Sequence, residues 1–262
     1  MSDLLITGGA QLNGTITPSG NKNAILPMLC ATIMVDQPVK LHNVPDIEDV
    51  KKIVKLLRQL GATIRWDKAN KVLNIDNKNL SVKDFDAGIP IDMRASILLF
   101  APMMHRFGDV AIDNNVGGCT LGIREIDPHV AMLRDMGAVI EERNGQLYLS
   151  AKHGFHGADL WPNYASVTAT ENVIMAAVLA TGTTTLTNAA AEPHVQDLCL
   201  FLNTLGANIE GIGSSKLIIH GVTELHGGEG HVSSDHQEIA TFLALGAMTG
   251  GEVRVTNAIP HH

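Results

Sequence analysis

Four times in this 262-residue chain a short β-type run closes on an asparagine: VKLHN at Asn43, VAIDN at Asn114, TTLTN at Asn188 and VRVTN at Asn257. The asparagines recur at intervals of about 70 residues, the mark of a repeated supersecondary unit. Three of them are followed by a helical run ending in Leu/Met-Gly-Ala: DVKKIVKLLRQLGA, HVAMLRDMGA and HVQDLCLFLNTLGA. A short hairpin comes after each, in TIRWDKANKVLNID, VIEERNGQLYLS and NIEGIGSSKLIIHG. The glycine that closes each helix stands where a helix C-terminus needs a positive φ, which glycine adopts without steric penalty.

A second kind of helical run precedes each asparagine. Residues 23–35, 93–107, 169–180 and 238–248 are apolar nearly all round and rich in Ala, Leu, Ile and Met. A helix of that composition belongs inside a core. By contrast, Val50, Ile53, Val54, Leu57 and Leu60 fall at helical spacing with Lys and Arg opposite, which predicts an outer helix. One unit therefore reads buried helix, strand, outer helix, two-stranded hairpin. Three complete units fill 21–229; a fourth begins near 230 and runs as far as its first strand. A (β/α) barrel would set one strand beside each helix at shorter intervals, and the hairpin after each outer helix argues against it.

Aromatic residues make up only 4% of the chain, so these cores must be built from aliphatic side chains and Met. A formal net charge of −8 argues against a general nucleic-acid binder but allows an anionic small molecule held in a local Arg/Lys pocket. No basic-then-apolar leader opens the chain, and no uninterrupted apolar run reaches the ~18 residues of a membrane span. Cys30, Cys119 and Cys199 are odd in number and far apart, which suits a reducing cytoplasm better than a disulfide framework. No Cys-x-x-Cys or His-x-x-x-His pair occurs, so no metal site is expected.

A few polar residues invite a chemical reading. Lys22 and Asn23 open the first apolar helix in SGNKNA, where a helix start and a cation together favour an anion. The plainer reading is that Ser19 and Asn21 cap the helix and Lys22 is solvated. Arg94 enters an apolar run, which is unfavourable unless it meets an anion, pairs with Asp92 or snorkels. Cys119 lies in DNNVGGCTLGIREIDPH, where Gly117 and Gly118 leave it little to pack against and Arg124 can lower its pKa. Cys30 and Cys199 fall within helices and read as packing residues. Arg124 and Asp127 are ligands or an i/i+3 ion pair at a helix start. Ser166 and Thr168 line a site or cap a helix, with Glu171 completing a capping box.

The chain resembles the enolpyruvyl transferase family in SGNKNAILPML (19–29), MRAS (93–96), GGCTLGIREID (117–127), SVTATENVIMAAVLATGTT (166–184), NAAAEPHVQDLCLFLNTLGA (188–207) and EIATFLALGAMTGGEV (238–253). The resemblance implies an α/β fold of inside-out α/β barrels: two similar domains of three units each, helices buried, sheets outside, substrates in the cleft between them. On that plan 21–229 is one complete domain carrying the cysteine loop. Residues 1–20 and 230–262 begin the second, whose remainder is expected in cis or in trans. The implied reaction moves enolpyruvate from phosphoenolpyruvate to UDP-N-acetylglucosamine, releasing phosphate, without metal or organic cofactor. The resemblance makes Cys119 the proton donor to phosphoenolpyruvate and the target of fosfomycin. It assigns Lys22 to phosphoenolpyruvate, Asn23 to the sugar, Arg94 to a phosphate or carboxylate and Arg124 to both substrates. Asp127 and its neighbours fall to the uracil, and Tyr164, Ser166, Val167 and Thr168 to the nucleotide diphosphate.

The chain also departs from the family. Glu125-Ile126-Asp127-Pro128 stands where Pro-Val-Asp-Leu is usual, Tyr164 replaces a Lys and Thr168 a Gly, and Ala191 and His236 each replace an Arg. Fewer cations and an added carboxylate beside an expected diphosphate leave the acceptor open between UDP-N-acetylglucosamine and another nucleotide or sugar. A reading from a different class is a non-catalytic chain or half-enzyme that needs the missing domain. The enolpyruvylshikimate-phosphate branch lacks the Gly-Gly-Cys loop.

Overall fold

The computed structural model describes residues 3–83, 94–113, 126–143 and 146–262, with the side chains of 94, 95 and 113 outside it. After a short strand β1 (Gly14–Ile16), the first unit comprises α1 (Lys22–Ala31), β2 (Val39–His42), α2 (Glu48–Gln59) and the hairpin β3 (Thr63–Asp67) and β4 (Val72–Asp76). The second has a 3-10 turn (Arg94–Leu99) leading into α3 (Phe100–Phe107), then β5 (Asp109–Asp113), α4 (Asp127–Asp135), β6 (Val139–Arg143) and β7 (Gln146–Ser150). A strand β8 (Asp159–Leu160) leads to the third: α5 (Val167–Ala177), β9 (Thr183–Thr187), α6 (Pro193–Thr204), β10 (Asn208–Glu210) and β11 (Lys216–His220). Strand β12 (Gly228–His231) precedes the last pair, α7 (His236–Thr249) and β13 (Val253–Val255).

The repeated asparagine has a backbone cause. Asn43, Asn188 and Asn257 take φ values of 57°, 62° and 54°. Asn tolerates this left-handed region better than other residues with a Cβ. The side-chain amides of Asn43 and Asn188 donate to the carbonyls of Val232 at 2.8 Å and Pro162 at 2.9 Å. Each thereby ties the end of its strand to a residue just past a neighbouring parallel strand. Asn114 lies outside the described residues.

The Leu/Met-Gly-Ala closures are three copies of one Schellman cap. Ala62, Ala138 and Ala207 donate their backbone N–H to Leu57, Leu133 and Leu202, while Gly61, Gly137 and Gly206 donate to Arg58, Arg134 and Asn203. All three glycines have positive φ.

Helices lie inside and sheets outside. Ala24–Ala31 of α1 and Ala169–Ala177 of α5 are buried without exception, and the 3-10 turn packs against both helices. Helix α2 buries Val50, Ile53, Val54, Leu56 and Leu57 and leaves its basic face outward. The strands fall into four separate sheets, ordered β12-β2-β4-β3, β5-β7-β6, β10-β11-β9-β8 and β1-β13. The expected inside-out α/β arrangement is present, but its strands form separate sheets: among the described residues no continuous barrel closes.

Two strands had no signal in the sequence. β8 and β12 add in parallel to β9 and β2, so the segment after the third hairpin returns to the first unit and joins the ends of the three-unit array. β8 is two residues long, and β12 reads Gly-Glu-Gly-His without an apolar side chain. Its Gly230 is required by packing: a Cβ there would meet the Phe201 ring at 2.6 Å and Met28 at 2.9 Å.

The fourth apolar helix departs from expectation. Helix α7 is as apolar as α5, yet Gly246 is its only buried residue, and Leu243, Leu245 and Met248 are 53%, 41% and 84% exposed. Among the described residues, no second layer of helices surrounds α7 as others surround α1 and α5.

The core also contains the carboxyl group of Glu171. Glu171 on α5 is 1% exposed and its Oε1 has no hydrogen-bond partner. Burial, then the nearby Glu192, holds its pKa well above the usual carboxylate range. The folded chain therefore keeps a proton that the unfolded chain releases above about pH 4.3, and stability falls as pH rises from there toward the folded value. Relative to Glu171→Gln, which cannot ionise, the native protein is expected to lose stability progressively above that pH in urea unfolding. Parallel pH profiles would exclude the ionisable core carboxyl. For the turn asparagines, Asn188→Ala should lower stability by about 1–3 kcal/mol, from left-handed strain plus a lost hydrogen bond. Asn188→Gly, which avoids the strain, should lose less in the same measurement.

Candidate active site

Every predicted site residue within the described part of the chain lies at or just before the start of a helix. Lys22 and Asn23 are the first two residues of α1, and Asp127 is the first of α4. Ser166 is the N-cap of α5, Val167 and Thr168 are its first two residues, and exposed Tyr164 accepts the Ser166 N–H at 2.9 Å. Arg94 opens the 3-10 turn. Cys119, Arg124 and the side chain of Arg94 lie outside the described residues, as does Glu125.

Contacts link these helix starts into one rim. In the first turn of α4, His129 reaches Thr168 Oγ1 through Nε2 at 3.2 Å and Asn172 Nδ2 through Nδ1 at 2.9 Å. Asn172 Nδ2 also donates to the Ile97 carbonyl, so His129 Nδ1 accepts and Nε2 carries the proton that bonds Thr168. Thr170 of α5 accepts from the Ala190 N–H at 3.1 Å, just before Glu192, the N-cap of α6. His194, the second residue of α6, stacks on His236, the first of α7, with ring centroids 5.8 Å apart and planes 7° from parallel. Asn21, the N-cap of α1, then bonds His236 at 3.2 Å. Helix starts expose unpaired N–H groups and carry partial positive charge, so a rim built from the starts of α4, α5, α6, α7 and α1 favours anions.

The one predicted cation whose side chain is described is already paired. Lys22 Nζ lies 2.7 Å from Asp49 Oδ2 in the first turn of α2, with both side chains partly exposed. A pair in that setting is weak and exchanges readily for a phosphate.

Ser166 Oγ accepts the Ala169 N–H at 3.4 Å, so Ser166 does cap the helix. The expected capping box does not form, because Ala169 occupies its third position and Glu171 turns into the core. Cys30 and Cys199 are buried as read from the sequence. Burial, followed by Glu171, raises the Cys30 thiol far above its usual range and pushes Cys199 up to about 12. Neither offers a thiolate at neutral pH. A groove of about 860 Å³, lined by Met34, Asp36, Asp76 and Arg106 among others, sits past the far ends of α1 and α5 from Lys22 and Ser166. Its Arg106 is occupied by Asp36 and the carbonyls of Asn77 and Lys78, so we place the chemistry at the rim.

Sequence reading missed Asp49, His129 and His194. Two of them had a signal: α4 and α6 both open on an acid-Pro-His-Val run, at 127–130 and 192–195. The first turn of each outer helix sends one polar side chain to the start of an inner one: Asp49 to α1, His129 to α5 and His194 to α7.

Inner helices, outer sheets and this rim define the fold of the enolpyruvyl transferases. The enolpyruvyl transferase NikO from Streptomyces tendae superposes with a TM-score of 0.76 at 22% identity, over 90% of this chain and 55% of that one. EPSP synthase from Acinetobacter baumannii gives 0.71 at 20%, over 89% and 52%. At those identities the likeness concerns the fold alone. Residues 6–262 match the EPSP synthase (3-phosphoshikimate 1-carboxyvinyltransferase) family, and the chain belongs to it. It is 42% identical over 260 residues to UDP-N-acetylglucosamine 1-carboxyvinyltransferase of Acinetobacter baylyi, covering 99% of this chain and 62% of that protein. The protein of the same name from Borreliella burgdorferi is 42% identical over 264 residues, with 100% and 60% covered. The chain thus spans about 60% of the length of these relatives.

Removing the carboxylate that competes for Lys22 should strengthen anion binding. Asp49→Asn is expected to tighten phosphate or phosphoenolpyruvate by less than about tenfold, the scale of an exposed ion pair. Calorimetric titration of both proteins checks this, and unchanged or weaker binding would remove Lys22 from the anion site.

Proposed function

We propose that this chain is the N-terminal portion of an enolpyruvyl transferase that moves enolpyruvate from phosphoenolpyruvate to UDP-N-acetylglucosamine and releases phosphate. The observation that carries this reading is the rim of helix starts bearing Lys22, Asn23, Asp127, Ser166 and Thr168, suited to two polyanionic substrates. The reaction adds a sugar hydroxyl across the enol double bond, and phosphate then leaves as the new methyl group gives up a proton to restore the alkene. It therefore needs a proton for the alkene carbon, a group to accept the hydroxyl proton and a base for the methyl proton. Cys119 is proposed as the donor of the first proton. Arg94 and Arg124 hold the anionic groups, Lys22 the phosphoenolpyruvate, Asn23 the sugar and Asp127 the uracil side. Tyr164, Ser166, Val167 and Thr168 face the nucleotide diphosphate. The product feeds peptidoglycan precursor synthesis, and through it cell shape and division.

In domain terms, 21–229 forms one complete three-unit domain, and 1–20 with 230–262 begins another. The parallel pairing of β1 with β13 supports grouping those two segments. The uncovered apolar face of α7 favours the half-enzyme reading, in which further units of a second domain cover it in cis or in trans. No helix among the described residues is long and apolar enough to cross a membrane.

Phosphate release should be measured with phosphoenolpyruvate and either UDP-N-acetylglucosamine or another nucleotide sugar, with and without a relative's C-terminal domain added. Turnover with UDP-N-acetylglucosamine once α7 is covered is the expected result. Turnover by the chain alone would refute the need for a partner, and turnover with the other acceptor only would refute the choice of substrate. Fosfomycin should label Cys119 and spare Cys30 and Cys199 in peptide mapping. A label elsewhere would reject Cys119 as the acid.

A further inference from the structure

The side chain of Asn21 is committed on both sides. Its Oδ1 accepts the backbone N–H of Asn23 at 2.8 Å and of Ala24 at 3.2 Å, capping α1. That fixes the orientation of the amide, so the group facing His236 Nδ1 at 3.2 Å is the Asn21 NH2. An NH2 only donates, and His236 Nδ1 must therefore be an acceptor, with the ring proton on Nε2. The backbone around the pair is held firmly. Asn21 N–H donates to Ser233, Asp235 N–H donates to Ser19, and Ser19 N–H donates to the Glu238 carboxylate at 2.8 Å. Asn21 is itself 2% exposed.

A second proton on His236 would set an N–H against the Asn21 NH2. The contact then has two outcomes. The imidazole leaves, or the amide turns over and offers Oδ1 to His236 while withdrawing it from Asn23 and Ala24. In the second case the cap bonds of the first turn of α1 are lost, and in the first the amide loses the contact that holds it in the capping orientation; that turn carries Lys22 and Asn23. We propose that His236 is a positioning residue that, while its imidazole is neutral, locks the Asn21 cap and with it the substrate-facing turn of α1. The link to substrate rests on the functional reading above; the lock itself does not.

Other ionisable groups share the neighbourhood. His194 of α6 stacks on the His236 ring and has an unpartnered Nδ1. Glu192 and Asp235 act on His194, and His262, itself influenced by Asp197 and His261, feels His236. Glu238 lies two residues on, within the first turn of α7. Among the described residues, only His236 touches Asn21 by a hydrogen bond whose sense reverses on protonation.

Backbone amide exchange of the full chain, read residue by residue by NMR as protection factors, tests the lock. Between about pH 8 and about pH 5, protection of Asn23 and Ala24 in the native protein should fall about 3- to 10-fold, the worth of one cap. His236→Gln offers an acceptor oxygen at both pH values and should keep these amides protected throughout. His194→Phe should retain the native fall. Buried amides of α5 report in each variant that the fold is intact. A flat native profile, an undiminished fall in His236→Gln, or its disappearance in His194→Phe would overturn the proposal. Phosphoenolpyruvate affinities of His236→Gln and the native chain, compared at the same pH, cancel the ligand's own protonation. Their ratio should be near one at about pH 8 and severalfold in favour of His236→Gln at about pH 5. A ratio that does not change would overturn the link to substrate. Absence of binding by either protein, with the exchange pattern intact, would refute the functional reading and leave the lock supported.

Discussion

Helices α1 and α5 have no polar face, so each must be enclosed by other helices on every side, and the rest of the architecture answers that demand. Outer helices α2 and α6 flank α1, while α3, α4 and α6 flank α5. Sheets close the outside, and β12 returns from the third unit to pair with β2 of the first. The same demand explains α7 by contrast. It has the composition of an inner helix, but no comparable set of helices surrounds it among the described residues, and its leucines and Met248 face solvent.

Enclosing the helices also creates the site. Packed side by side, they present their starts along one rim, where unpaired N–H groups and partial positive charge accumulate. The chain then uses the first turns of the outer helices to join that rim together. Asp49 holds Lys22, His129 holds Thr168, and His194 lies against His236, which in turn binds the cap of α1. These side chains are small devices of orientation placed at matching points of a repeated unit.

Much of the fold was legible because its cues are local. Asn43, Asn188 and Asn257 at strand ends and Gly61, Gly137 and Gly206 at helix ends mark positive φ, a property of single residues that the sequence repeats with the unit. The apolar inner helices and the alternating hairpins show in composition and period. The parallel strands β8 and β12 were not legible, since their pairing partners are distant in sequence and their own residues carry little signal. The capping box at Ser166 was misread for a related reason. Spacing alone offered Glu171 as a partner, whereas the N-cap is Ser166, two residues before Thr168, and the helix turns that carboxyl into the core.

By itself, the sequence determined the repeated unit, the division between inner and outer helices, the caps, and the motifs that tie the chain to its family. Each of these depends on side-chain volume, polarity and backbone preference at neighbouring positions. Tertiary structure alone decided that Asp49 meets Lys22, that an uncovered apolar helix stands at one edge, and that His236 accepts a hydrogen bond from Asn21, 215 positions away. Contacts of that kind depend on how separate units are brought together, and no local period or propensity encodes which two polar atoms will meet.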